Sequence, residues 1–421
     1  MSKTVTIIGQ GYVGLPLAEE ATKAGWKVYG YDVSERVVAG LNSGHSHIDD
    51  LADEDISGMI QRGYEATTDP SCIRESDVAV VCVPTPLGDA GSPDLKFVES
   101  ATKTVGENIT QGATYILEST TYPGTTDGIC RPILEETSGL RAGTDFFMAY
   151  SPERVDPGRT DYQIKNTPKL VGGINAESTE HAVGFYSDFI DTVVPVQGTK
   201  EAETSKLLEN TFRHVNIALV NEMAKFCKEL GIDIWEVIRG ASTKPFGFMK
   251  FTPSAGVGGH CIPIDPNYLS YEVRNRLGYP FRFVELAQEI NNSMPRYVVS
   301  RSSELLNLEA KALNGSKVLL LGVTYKPNIA DQRESPAVPV ASEFLNRKAD
   351  LSFHDPHVET WNLADGKSIE REPDLEQAVK EADLVVLLQA HKDYDLELIR
   401  TSSKLFFDTT GKSESPAEFK L

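Results

Sequence analysis

Cysteine is scarce in this chain of 421 residues, and its five copies, Cys72, Cys82, Cys130, Cys227 and Cys261, never fall in a CxxC pair. So scattered and odd a set excludes a disulfide framework or a zinc knuckle as the basis of the fold, and no metal site is expected. It fits a reducing, cytoplasmic compartment. Long apolar runs are also missing: none approaches the roughly 18 residues of a membrane span, so membrane insertion is not expected. A strand-like pattern begins within three residues of the N-terminus, so no signal peptide is expected. Positive charge is in deficit, with 41 Lys and Arg against 61 Asp and Glu and a net charge of −20. An acidic surface repels phosphate backbones, which argues against nucleic-acid binding through bulk charge. Local dipoles and a few basic groups can still hold one anionic ligand. There is no short repeat and no low-complexity tract. With 40% hydrophobic and 24% charged residues, the chain has the composition of a globular protein of several domains.

What is present is an alternation of strand and helix patterns. Lys3–Ile8, Lys27–Tyr31, Val78–Val83, Thr114–Glu118, Phe146–Tyr150, Lys169–Gly173 and Thr192–Val196 read as strands, with a helix over Leu15–Gly25. Continuous apolar runs such as VAVVCV predict a buried, doubly wound parallel sheet. From Glu201 to Leu230 there is neither Gly nor Pro, and Leu207, Leu208, Phe212, Val215, Leu219, Val220, Met223 and Phe226 recur at helical spacing. This predicts one spine helix of about 45 Å, amphipathic enough to imply a homodimer. A second long helix is predicted over Phe283–Leu313. From Lys317 the αβ alternation returns without a three-glycine turn. The expected fold is α/β, with two Rossmann-like domains, 1–199 and 313–421, joined by a central helical domain, 200–312.

Gly9-Gln10-Gly11-Tyr12-Val13-Gly14 follows a strand and opens a helix. Gly9 permits the tight turn, Gly11 lets backbone approach a pyrophosphate, and Gly14 lets helix and sheet pack closely. Asp32 ends the second strand, 18 residues after Gly14. A carboxylate there accepts from a ribose 2′-OH and repels a 2′-phosphate, so the cofactor expected is NAD rather than NADP, with FAD as the alternative. Pro84 and Thr85, and Ser119, Thr120 and Thr121, follow the ends of two further strands, where ligands of such folds bind. Helix capping is the ordinary alternative for each of these hydroxyls.

The segment Ser254–Pro266, SAGVGGHCIPIDP, places Gly256, Gly258 and Gly259 before Cys261 and two prolines after it. It cannot be a regular helix before Cys261 and reads as built to present that side chain to a ligand. The other four cysteines read as small buried hydrophobes. Asp265 could supply a base or hold a water; His260 reads as structural. Lys206 and Asn210 share a face of the spine helix, a spacing that by itself equally suits a solvated surface. A thiolate beside a nicotinamide suggests a four-electron oxidation. An alcohol gives an aldehyde, the thiol traps it as a thiohemiacetal, a second oxidation gives a thioester, and water releases a carboxylate.

GQGYVGLPLA, VCVPTP, ESTTYPGTT, YSPERVDPG, SKLLENTFRHVNIALVNE, GVGGHCIPIDP and GVTYKPNIADQRESPA occur in this order along nearly the whole chain. In these segments it resembles the UDP-glucose/GDP-mannose dehydrogenase family. The resemblance implies Cys261 as the nucleophile, Lys206 and Asn210 as the pair that stabilises an oxyanion, and Asp265 in proton handling. It implies Glu153 and Thr120 in water positioning and acid–base steps. It places Gly9, Gly11, Tyr12, Val13, Gly14, Asp32, Arg36, Pro84, Thr85, Thr120 and Arg333 at NAD. It places Glu153, Arg154, Lys206, Asn210, Phe251, Gly258 and Lys326 at a UDP-sugar.

Ile264 stands where members acting on UDP-glucose usually have Lys, and His260 where they have a small residue. Val37 replaces a usual basic residue, for which Arg36 can substitute beside the adenosine ribose. With TKPFGF at Thr243–Phe248, the chain looks most like the branch that oxidises UDP-N-acetylhexosamines. This implies UDP-N-acetylglucosamine first, then the galactosamine and mannosamine forms, then UDP-glucose. A two-electron β-hydroxyacid dehydrogenase and a non-catalytic NAD sensor are the rival readings; the first leaves Cys261 and the third domain unexplained.

Overall fold

A computed structural model describes residues 3–48, 51–86, 88, 93–155, 161–259 and 262–421. It divides into two compact units, residues 1–209 with 267–279, and residues 210–266 with 280–421.

The first unit is built on β1 (Thr4–Ile8), β2 (Lys27–Tyr31), β3 (Tyr64–Thr67), β4 (Val78–Val81), β5 (Thr114–Leu117), β6 (Phe147–Tyr150), β7 (Lys169–Gly173) and β8 (Val193–Pro195). Their order in the sheet is β3-β2-β1-β4-β5-β6-β7-β8. Every residue of β1, β4 and β5 is buried, as helices on both faces require. The period of two along β1 feeds two cores. Val5 and Ile7 join Leu15, Ala18 and Phe185 on one face, and Ile8 joins Val81, Val98 and Leu134 on the other.

Strand pairs from β3 to β6 are parallel. β7 runs against β6, with Ala149 opposite Gly173 and Tyr150 opposite Gly172, and β8 lies parallel to β7. The sheet expected to be all-parallel is therefore mixed at this edge. A parallel return needs a crossover, usually a helix, and among the described residues between β6 and β7 there is none. The reversal carries Lys169, the first residue of β7, past the end of β6 to the carboxyl edge of the sheet.

The spine helix spans Thr199–Glu229. Its apolar residues do not form one buried stripe: Leu207 and Val220 are buried, whereas Phe212, Leu219 and Phe226 are exposed. In the second unit β9 (Lys317–Leu321), β10 (Asp350–His354), β13 (Leu384–Leu387) and β14 (Phe406–Asp408) form a parallel sheet in the order β10-β9-β13-β14. A short antiparallel pair, β11 (Thr360–Asn362) with β12 (Ser368–Glu370), accompanies it. The helix Arg282–Leu308 lays Met294, Val298, Leu305 and Leu306 into the same core as Val318, Leu320 and Phe353. No helix among the described residues is long and apolar enough to cross a membrane.

Candidate active site

The first unit presents a dinucleotide cradle at its switch point, between β1 and β4, where strand order reverses. Gly9 has φ +93°, and a Cβ there would lie 2.6 Å from the Cys82 carbonyl oxygen. At Gly14 a Cβ would fall 1.9 Å from Gly9 O, so the helix Gly14–Lys23 sits on the turn only because that atom is missing. At Gly11, by contrast, a Cβ meets nothing within 4 Å, which is open space over the turn. Val13 offers no side-chain cap and the first turn holds no acid; Leu15 N–H turns back to Gly11 O at 3.1 Å, and the helix dipole favours an anion at this end. Asp32 is held at the same turn, accepting from the backbone N–H of Gln10 at 3.0 Å and of Ser34 at 2.9 Å. These residues fit a pyrophosphate and a ribose diol. Arg36 is exposed beyond Asp32, and Tyr12 is exposed on the turn.

Sequence reasoning missed Gln10. It is fully buried, donates to Ile7 O at 2.7 Å and accepts from Tyr64 Oη at 2.8 Å. Gly30 on β2 makes room for that pair, since a Cβ there would collide with both side chains. The turn is thus braced from β3 through a tyrosine that no local motif announces.

Ser119 latches the neighbouring strand ends, accepting from Val83 N–H at 2.9 Å and donating to Val83 O at 2.8 Å. Thr120, next to it, is half-buried. The buried Tyr268 hydroxyl donates to Thr85 O and so holds the Pro84-Thr85 loop. Glu203 on the spine helix takes the N–H of Gly124, at 2.5 Å, and the N–H and hydroxyl of Thr126, at 2.9 and 2.7 Å. Burial pushes its carboxyl up to about 7, against the pull of those hydrogen bonds.

Three of the predicted substrate-side residues meet in this unit. Lys206, almost buried, donates through Nζ to the carbonyl of Glu153. Arg154 instead engages Glu209, at 2.7 Å from Nη2, and the Pro168 carbonyl, at 2.7 Å from Nη1. Beside them lies a buried charge pair that the sequence did not reveal. Glu118 Oε1 takes Lys169 Nζ at 3.0 Å and the Tyr186 hydroxyl, while Glu118 Oε2 is buried with no hydrogen-bond partner among the described residues. Burial raises the Glu118 carboxyl, and Lys169 works against that rise.

The second unit holds Asn210, whose Nδ2 donates to Asp265 Oδ2; both are buried, and Asp265 opens the helix Asp265–Leu277. Phe251 packs edge-on to Phe212 with ring centroids 5.8 Å apart. His260 and Cys261 lie outside the described residues. The space beside the three preceding glycines is filled by protein. A Cβ on Gly256 would lie 2.9 Å from Pro336, on Gly258 2.7 Å from Glu334 O, and on Gly259 2.7 Å from the Tyr325 ring. Arg333 folds back on Asp331, with Nη2 2.5 Å from Oδ2, and Lys326 is half-buried on the loop after β9.

Cys72, Cys82, Cys130 and Cys227 are all buried. Burial pushes each thiol up, Cys130 to about 11, so none is poised as a thiolate. Among the described residues no group of His, Cys, Asp and Glu could hold a metal.

This geometry can be set beside known proteins. Residues 3–190 match the NAD binding domain, 200–293 the central domain and 319–413 the UDP binding domain of the UDP-glucose/GDP-mannose dehydrogenase family. The chain belongs to that family. It is an NAD-dependent nucleotide-sugar dehydrogenase, an oxidoreductase. The UDP-N-acetyl-D-mannosamine dehydrogenase of Pyrococcus horikoshii is 34% identical over 393 residues, 93% of this chain and 90% of that protein. The UDP-N-acetyl-D-glucosamine 6-dehydrogenase of Pseudomonas aeruginosa is 35% identical, over 84% and 83% of the two chains. The solved structure of the Pyrococcus horikoshii UDP-D-ManNAc dehydrogenase superposes with a TM-score of 0.88 at 32% identity, covering 98% of this chain and 96% of that one.

Proposed function

We propose that this dehydrogenase oxidises the C6 alcohol of a UDP-N-acetylhexosamine, UDP-N-acetylglucosamine foremost, to the uronate in two steps through Cys261. The observation that carries the reading is the buried Asn210–Asp265 hydrogen bond, which fixes a carboxylate four residues after that cysteine. UDP-N-acetylmannosamine is the second reading, favoured by the name of the Pyrococcus relative.

Gly9, Gly11, Tyr12, Val13 and Gly14 with Asp32 and Arg36 hold the dinucleotide; Pro84, Thr85 and Thr120 lie toward its nicotinamide end, and Arg333 adds a contact to its pyrophosphate. NAD, when bound, accepts the electrons of each oxidation. Cys261 adds its sulfur to the aldehyde carbon and keeps the half-oxidised sugar attached, first as a thiohemiacetal and then as a thioester. Water cleaves the thioester, so one alcohol and one water yield a carboxylate, two NADH and three protons. Lys206 and Asn210 stabilise the oxyanion at that carbon. Asp265, Glu153 and Thr120 handle protons and orient the water, while Arg154, Phe251, Gly258 and Lys326 shape the sugar-nucleotide site. The three family segments are read as an NAD domain, 1–199, a dimerising helical domain, 200–312, and a UDP-sugar domain, 313–421, of a cytoplasmic enzyme.

Phe212, Leu219 and Phe226 repeat every seven residues on the spine helix and are 44%, 53% and 45% exposed. A seven-residue apolar seam of this kind suits a second copy of the same helix. Leu219→Glu converts the dimer to monomer by light scattering; an unchanged mass refutes this interface.

The test of function is the ratio of NADH formed to sugar consumed with UDP-glucose and the three UDP-N-acetylhexosamines. The reading requires two with an N-acetylated sugar. A ratio of one, or Cys261→Ser with undiminished turnover, overturns it.

A further inference from the structure

The second sheet has a switch point of its own, between β9 and β13, and ligands of open α/β sheets settle outside the strand ends at such points. The turn there is tight: Gly322 has φ +76°, and a Cβ would lie 2.6 Å from Gln389. From it emerges the loop Thr324-Tyr325-Lys326-Pro327-Asn328. Asn328 adopts φ +66°, a left-handed conformation that Asn tolerates and that follows proline in turns.

Residues some sixty positions away hold this loop. Asn328 N–H points at His391 Nδ1 at 2.9 Å, and Lys392 N–H donates to Asn328 Oδ1 at 2.7 Å. A backbone N–H can only donate, so Nδ1 carries the lone pair and the ring proton sits on Nε2. Nε2 lies 3.1 Å from Asp355 Oδ2, and that carboxylate also takes the N–H groups of Val323 and His357, both at 2.8 Å. Thr324 Oγ1 donates to Lys326 O at 2.8 Å, and Gln389 Nε2 to Tyr325 O at 3.2 Å. The His391 and Asp355 side chains are fully buried, so the imidazole has no water to turn to.

We propose that His391, set by Asp355, is a positioning residue that locks the Lys326 loop in the shape needed to bind the nucleotide of the UDP-sugar. This rests on the reading of Lys326 as a sugar-nucleotide contact. The clamp acts through one acceptor atom, Nδ1, and that makes it separable from mere packing. An Asn side chain can place an oxygen where Nδ1 stands, whereas Gln places its polar end where Nε2 stands.

The experiment compares His391→Gln, His391→Asn, Asn328→Ala and Lys326→Met in the full-length enzyme with NAD and its best UDP-sugar. Loss of one buried hydrogen bond predicts a rise of about tenfold in KM for the sugar nucleotide in His391→Gln, with KM for NAD unmoved. His391→Asn retains a KM near that of the wild type. Asn328→Ala, at an exposed position, removes the Oδ1 that holds Lys392 N–H and raises the same KM from the other side of the clamp. Amide exchange over residues 323–331 quickens in His391→Gln and not in His391→Asn. Equal behaviour of the Gln and Asn variants, an unchanged KM in Asn328→Ala, or a matching rise in KM for NAD overturns the proposal. If Lys326→Met leaves the sugar-nucleotide KM unchanged, the reading of Lys326 fails instead, and amide exchange still decides whether the clamp exists.

Discussion

Replacing Lys169 by Met leaves the Glu118 carboxylate buried without its cation. Side-chain exposures of 7% and 0% mean that water screens neither partner. Removing one member of a buried pair costs about 3–5 kcal/mol, or roughly 6–20 °C in the midpoint of a unit of this size. The pH dependence is the sharper signature. Burial already raises the Glu118 value in the folded protein, and Lys169 limits that rise. A carboxyl whose folded pKa exceeds its unfolded one lends stability that is complete below the unfolded value and lost as pH climbs through the folded one. Without Lys169 the folded value climbs further, so the deficit of the variant widens with pH. Its limiting slope is about 1.4 kcal/mol per pH unit. Thermal midpoints of wild type and Lys169→Met at pH 5, 6, 7 and 8 measure it. The double variant Glu118→Gln/Lys169→Met recovers most of the loss, because a neutral pair needs no counter-charge. A deficit that stays flat with pH, or a double variant as weak as the single one, refutes the reasoning.

Other expectations are as direct. Gly11→Ala, whose Cβ meets no protein atom, keeps the wild-type melting temperature but weakens NAD binding at least tenfold by titration calorimetry; Gly14→Ala, with its Cβ 1.9 Å from Gly9 O, loses both. Equal NAD affinity in Gly11→Ala argues against the cradle. Glu203, raised to about 7 from an ordinary 4.5, lends stability below the unfolded value that is lost as pH rises through the folded one. Wild type should therefore lose up to about 3 kcal/mol relative to Glu203→Gln between roughly pH 4.5 and 7, read from urea midpoints; parallel curves deny the shift.

Much of the first unit was legible without coordinates, because its signals are local. A strand buried in a parallel sheet is rich in β-branched and aromatic residues and bounded by turn signals, so the expected strand over Lys27–Tyr31 coincides with β2 and that over Lys3–Ile8 misses β1 by one residue. The turn from Gly9 to Gly14 declares itself because its constraints are backbone constraints, met by particular residues a few positions apart. The absence of Gly and Pro predicted the spine helix to within two residues at its start.

What escaped depends on residues far apart in the chain. The direction of β7 is set by pairing with β6 and not by its own sequence, and that direction delivers Lys169 to Glu118 across 51 positions. Nothing in the segment before Cys261 shows that Tyr325, Glu334 and Pro336, some seventy positions on, occupy the space beside its glycines. The pairing of Arg154 with Glu209, 55 positions on, is likewise invisible in its own segment. Nothing near His391 in sequence points to Asn328, 63 residues earlier. The sequence by itself determined the strand–turn–helix units, the cofactor turn and the order of the motifs, since these follow from spacing along the backbone. Tertiary structure alone decided which charges are buried together and which loops are clamped, since both depend on which strands and helices become neighbours.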